Sequence, residues 1–154
     1  MRFFLLLLPV IAGAQPVPGG FALGMNATQL QQADPALKRV PHPARLSGGL
    51  AGIWSGGDVR LGEVALTPTF FLAEGELRRV EYLAHDGLAA TYAALLAWAR
   101  GMWGAELASN APEGAYASWD TPELQAYLQR TVTPRGEQVR LVTRKRALKD
   151  AGEL

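Results

Sequence analysis

The sequence predicts an α+β domain, an antiparallel sheet of short strands with two helices packed on one face. Three observations carry this prediction. Residues 46–83 are rich in glycine, β-branched and aromatic residues and are broken by turn signals, the pattern of consecutive short strands. Residues 86–104 place apolar side chains at helical spacing between an acidic start and a glycine stop. The order along the chain is helix, strands, helix, strands, which suits helices laid on one antiparallel sheet.

The chain begins MRFFLLLLPVIAGAQ. Arg2 and the terminal amine form a short positive region, Phe3 to Ile11 is apolar apart from Pro9, and Ala12-Gly13-Ala14 offers small residues before Gln15. This is the secretory signal pattern, with cleavage expected near Ala14-Gln15. The apolar run is about half of the ~20 residues that span a bilayer, so no stable membrane insertion is expected after cleavage. The expected organisation is a signal peptide over 1–14, a flexible Pro/Gly-rich lead over 15–23 and a single domain over 24–154. There is no cysteine, so no lipid can be attached beside the cleavage site and no disulfide can staple the fold, which must rest on its apolar core. Arginine outnumbers lysine, and alanine, glycine and leucine dominate, a bias that resembles bacteria with GC-rich genomes. The expected destination is therefore the periplasm or full secretion. The formal charge of +1 falls to about zero without Arg2, which argues against an electrostatic nucleic-acid binder. The basic run RLVTRKRALK, 140–149, reads as a solvated face.

Asn26 or Thr28 caps a helix of about two turns, since a side-chain oxygen accepts from the free N–H groups of a first turn. Pro35 disfavours helical geometry at Asp34, so that helix ends near Ala33. Strands are predicted over 46–54, 58–65, 68–73 and 76–83, with turns at Ser55-Gly56-Gly57 and Leu66-Thr67-Pro68. A three-residue loop, Ala73-Glu74-Gly75, puts Gly75 in the left-handed position. It pairs Leu72 with Glu76 and Phe70 with Arg78, and gathers Phe70, Leu72, Val80 and Tyr82 on one side; a two-residue loop would scatter them. Asp86 caps the long helix and Gly104 ends it, with Leu88, Tyr92, Leu95, Leu96, Ala99 and Trp103 as its apolar stripe. Residues 108–114 read as a loop, and 123–132 with 138–145 as a hairpin. A helix starting at Asp120-Thr121-Pro122-Glu123 is the alternative.

Gly24-Met25-Asn26-Ala27-Thr28-Gln29-Leu30 resembles the helix opening of domains in the outer-membrane assembly lipoprotein and β-lactamase-inhibitor-like group, which place such a helix before a hairpin like Phe70–Tyr82. The resemblance covers the first half of the chain beyond the signal. It implies a periplasmic protein-interaction module without catalysis, and it carries no binding residue across. The lipoprotein cysteine of that group is absent here.

Catalytic patterns are sparse. His42 and His85 are far apart and there is no cysteine, so no metal-ligand spacing exists. Ser47, Ser55, Ser109 and Ser118 lack the strand-turn-helix context of a nucleophile. The glycine-rich stretch 47–58 lacks the lysine of a phosphate loop. A carboxylate site is the remaining catalytic option, should Asp58, Glu63 and Glu81 converge. The expected function is an exported non-catalytic domain, with no cofactor or metal, that binds another protein or envelope component. The candidate contacts are Trp98, if exposed, and Arg78 and Arg79, whose strand would accept a partner strand if it lay at an edge. The alternatives are a carrier of a small apolar ligand lined by Trp98, Trp103 and Phe71, and a carboxylate-dependent hydrolase.

Overall fold

The computed structural model describes residues 15–111 and 114–146; the expected signal peptide lies outside the described residues. The elements run β1 (Gln15–Val17), β2 (Phe21–Leu23), α1 (Ala27–Ala33), β3 (Lys38–Arg39), β4 (Ala51–Ser55), β5 (Val59–Leu61), β6 (Val64–Ala73), β7 (Glu76–Ala84), α2 (Ala89–Trp103), β8 (Ala108–Ala111), β9 (Gly114–Asp120), β10 (Leu124–Thr133) and β11 (Gly136–Lys145). β1 and β2 pair with each other. The remaining nine strands form one sheet in the order β3-β4-β6-β7-β11-β10-β9-β8, with β5 also on β6. The fold is α+β and the pairings are antiparallel. One sheet face carries Phe70, Val80, Tyr82, Leu128 and Leu141, which share a single core with Leu30 of α1 and Leu95 and Ala99 of α2.

Local chemistry accounts for α1. The Asn26 side chain accepts from Gln29 N at 2.9 Å, and Gln29 Oε1 accepts from Asn26 N at 2.9 Å, so the two residues cap the first turn reciprocally. The helix stops at Ala33, where Asp34 before Pro35 is extended at φ −138° and ψ 100°. The Asp34 carboxylate then accepts from Ala36 N and from Gly57 N, both at 2.8 Å, and ties the helix end to the turn after β4.

Several expectations are corrected. The hairpin between β6 and β7 has a two-residue loop, Glu74-Gly75, with both residues at positive φ (53° and 75°), the backbone that matches strand twist. Leu72 pairs with Leu77, not Glu76. A bulge then lets Arg78 stand extra, so that Phe71 faces Arg79 and Phe70 faces Val80. The bulge restores the apolar set to one face, which is what the longer loop was expected to do. Leu66-Thr67-Pro68 is not a turn, because β6 runs straight through it. The Pro68 carbonyl accepts from Gly56 N at 3.0 Å, so its ring nitrogen faces the same side, in the gap between β5 and β4 where no ladder bond is lost. The strand expected over 46–54 begins only at Ala51, after a short 3-10 turn over Ser47–Gly49. The strand expected over 58–65 divides into β5 and the start of β6. Residues 108–111 form β8 along β9 rather than a loop.

The lead over 15–23 is a hairpin rather than a flexible arm, with Val17, Phe21 and Leu23 buried. The Phe21 ring meets Phe70 edge-on at 4.7 Å, and the Tyr82 hydroxyl donates to Pro18 O at 2.6 Å. Burial pushes the Tyr82 phenol far above its ordinary range, so it stays a donor throughout ordinary pH. Tyr82→Phe is therefore expected to cost about 1–2 kcal/mol, the loss of a buried hydrogen bond with its acceptor left behind. Amide exchange read by NMR should show Val17 and Leu23 losing protection before the sheet does.

Asp86 holds the entry to α2, accepting from Leu88 N at 3.0 Å and from the Thr91 hydroxyl, which lowers its carboxyl pKa. The helix itself starts at Ala89, and Leu88 is exposed rather than part of the apolar stripe. At the far end Gly104 has positive φ (87°) with ψ −160°, outside the left-handed helical well, and Trp119 Nε1 donates to its carbonyl at 2.9 Å. Arg100 Nε donates to Glu106 at 2.8 Å, and this bond brings the Glu106 carboxyl down from 4.5 to about 2. Since the folded value is depressed, the pair's contribution is present above the ordinary carboxylate range and is lost as pH falls from there through about 2. A side-chain carbon NMR titration should find Glu106 still ionised at pH 3.5, below the ordinary glutamate value.

Candidate interaction face

Strand alternation sends every second residue of the sheet away from the helices. From β6 to β9 those residues include Phe71, Arg79, Glu81, Arg140, Val142, Arg144, Gln125, Tyr127, Gln129, Tyr116 and Ser118, placed side by side by the ladder registers, with Phe71 and Val142 buried beneath the longer side chains. Arg79 is the centre of this open face. Its guanidinium donates to Glu81 Oε1 at 2.7 Å and 3.2 Å, donates to Tyr127 Oη at 2.9 Å, and lies 5.7 Å from the Phe71 ring centroid. Its side chain is only 12 % exposed, so the group is held rather than free. Arg140 reaches Glu81 at 3.6 Å, donates to Gln129 at 3.2 Å and lies 5.9 Å from the Tyr127 ring. Tyr127 stacks on Tyr116 at 5.8 Å, and Arg144 donates to Gln125 at 3.1 Å. The arrangement is a fixed lattice of guanidinium and phenol groups, able to accept carboxylates and flat or apolar side chains.

Arg78 and Arg79 therefore lie on this face, but β7 is not at an edge. It pairs with β6 on one side and β11 on the other, and Leu77 exchanges bonds with Gly24 and Met25 beyond the end of β11. The strand cannot take a partner strand as the edge reading required. Arg78 sits at the bulge and bonds Glu74 at 3.0 Å. Trp98 is half-buried, 5.4 Å from Trp103 in an edge-on pair, on the helix side of the sheet. Phe71 is on the opposite face, so Trp98, Trp103 and Phe71 do not line one pocket.

The carboxylates named from sequence do not converge. Asp58 Oδ1 lies 3.1 Å from His85 Nε2 and accepts from the Thr67 hydroxyl at 3.0 Å, whereas Glu81 is held by Arg79 and Arg140. Glu63 sits in the turn between β5 and β6. The Thr67, His85 and Asp58 trio is not a nucleophile relay. Thr67 and Asp58 both approach the same ring nitrogen, and the Thr67 proton goes to the carboxylate. Among the described residues no cluster of three His, Cys, Asp or Glu could hold a metal, and no helix is long and apolar enough to cross a membrane.

Sequence reasoning missed Tyr116, Tyr127, Arg140 and Arg144. Their signal was present as polar residues at every second position, Gln125, Tyr127 and Gln129 above all. What it lacked was the strand order that sets the four beside Arg79. No family model, no curated protein and no solved structure matches the chain.

Proposed function

We propose that the chain is an exported, non-catalytic module that binds another protein of the cell envelope through the open face of its sheet. The observation that carries this reading is the asymmetry of the sheet. One face is covered by α1, α2 and the β1–β2 hairpin, while the other, among the described residues, presents Tyr127, Arg140 and Tyr116 around the largely buried Arg79. Arginine and tyrosine are the residues most often found where interface energy concentrates. The N-terminal signal pattern supports export, and the Asn26 capping box supports the helix on which the family resemblance rests. The carrier reading gains less. The apolar recess beside Trp103, lined by Pro16, Val17, Pro18 and Met102, holds about 170 Å³, and the groove of about 450 Å³ beside it, which shares Pro16, Met102 and Trp103, is lined also by Thr121 and Glu123 and so is not a mostly apolar pocket.

The test is to express the full chain with a C-terminal tag in its native cells, sequence the N-terminus of the product, and cross-link the envelope fraction. The reading expects Gln15 as the first residue and one dominant cross-linked protein. A product that keeps Met1 in the cytoplasm, or no partner above background, contradicts it.

A further inference from the structure

Two shallow grooves meet on the open face. One holds about 380 Å³ and is lined by Leu46, Ser47, Leu50, Arg78, Arg79, Arg144 and Lys145. The other holds about 210 Å³ and includes Leu107, Tyr116, Ser118, Asp120, Tyr127 and Arg144 in its lining. Arg144 belongs to both, so the two form one trough running from β7 over β11 and β10 to β9. Its ends are apolar and exposed: Leu46 is 39 % and Leu107 72 % accessible.

The charges along the trough do not cancel. Arg78 is paired with Glu74, Arg79 with Glu81, and Asp120 with Arg146. Arg144 is bonded only to the neutral Gln125, and among the described residues neither Arg144 nor Lys145 has a carboxylate at ion-pair distance. Among the described residues the trough thus carries Arg144 and Lys145 without a carboxylate partner, between two apolar ends, with the Tyr116–Tyr127 stack as part of its floor. In addition, the buried Nε of Arg78 has no acceptor among the described residues.

Resting on the interaction reading above, we propose that this trough binds an extended peptide segment of the partner that carries a carboxylate between apolar side chains. The carboxylate then lies against Arg144 and Lys145, and the apolar side chains rest toward the Leu46 and Leu107 ends. A free phosphate fits less well. Arg78 and Arg79 already hold carboxylates, and the trough is open to solvent rather than closed around an ion.

The test is an NMR titration of the labelled full chain with the heptapeptide Ser-Leu-Ser-Glu-Ser-Leu-Ser. Its Glu-to-Gln isostere, inorganic phosphate and phosphatidylglycerol vesicles are run in parallel. Expected are shifts at the amides of Leu46, Arg79, Tyr127 and Arg144, binding at least tenfold weaker for the isostere, and weakening as salt is raised. The double variant Arg144→Glu, Lys145→Glu should bind at least tenfold more weakly with an unchanged melting curve, and Arg144→Gln should fall between. Equal binding of the isostere, shifts elsewhere, or full binding by the double variant overturns the proposal. So does occupation of the trough by phosphate or vesicles in place of the peptide. The two readings fail separately. If the double variant still captures the partner found with the native chain, the trough is wrong and the interaction reading stands; if the native chain captures nothing, the interaction reading falls.

Discussion

Phe70→Ala is expected to lower stability by about 3–5 kcal/mol, the usual cost of emptying a phenylalanine site in a core. Phe70 is completely buried on β6, with β4 on one side and β7 on the other, and its ring receives Phe21 edge-on at 4.7 Å. Its loss leaves a cavity between the sheet and the β1–β2 hairpin, where the covering hairpin has only short strands to hold it. For a domain of this size the melting temperature should fall by roughly 10–20 °C. Because a typical domain has only ~5–15 kcal/mol in hand, the variant should also expose the hairpin amides to exchange. A fall of less than about 2 °C would show that the hairpin and sheet do not share the core described here. Val80→Asp, opposite Phe70, should be at least as damaging, since it buries a charge without a partner.

The second large effect is a single methyl group. Gly87, in the loop entering α2, sits so close to the start of β11 that an added Cβ would lie 2.1 Å from Glu137 O and 2.2 Å from its carbonyl carbon. The backbone cannot yield as a side-chain end would. The same loop is pinned at that point, where Arg130 Nε donates to Gly87 O at 2.8 Å and Arg130 pairs with Glu137 at 3.0 Å. Gly87→Ala should therefore cost about 2–3 kcal/mol through overpacking. The matched control is Gly101→Ala in α2, where nothing lies within 4 Å of the added methyl. There the same change should stabilise by about 0.5–1 kcal/mol, because alanine loses less backbone entropy in a helix than glycine does. Denaturant midpoints with unchanged slopes should move in opposite directions. Equal shifts of the same sign would contradict the packing described for the α2 loop.

What could be read from the sequence was local. The α1 helix was legible because its cap, Asn26 with Gln29, and its stop, Asp34-Pro35, lie within a few residues of it. The choice of a hairpin over a helix for 124–145 rested on the alternation of Leu124, Ala126 and Leu128, and those three side chains do face the core. The β6–β7 register was not legible. A bulge at Arg78 adds a residue that no local pattern announces, and its effect imitates a longer loop. The β1–β2 hairpin was missed because three-residue strands are held by distant contacts, Phe21 on Phe70 and Pro18 on Tyr82. The interaction face was half legible. Arg78 and Arg79 could be named, but their tyrosine and arginine neighbours come from strands about 40–65 residues further along the chain and meet only when β11 lies between β7 and β10.

The central claim is a division of labour, with the covered face of the sheet holding the fold and the open face binding the partner. The most direct measurement is partner capture beside thermal melting for the native chain, Arg144→Glu and Tyr127→Ala. The account predicts near-native melting and a loss of capture of at least tenfold for Arg144→Glu, with Tyr127→Ala also losing capture ahead of stability. Native-level capture by both variants, or loss only in step with unfolding, would contradict it.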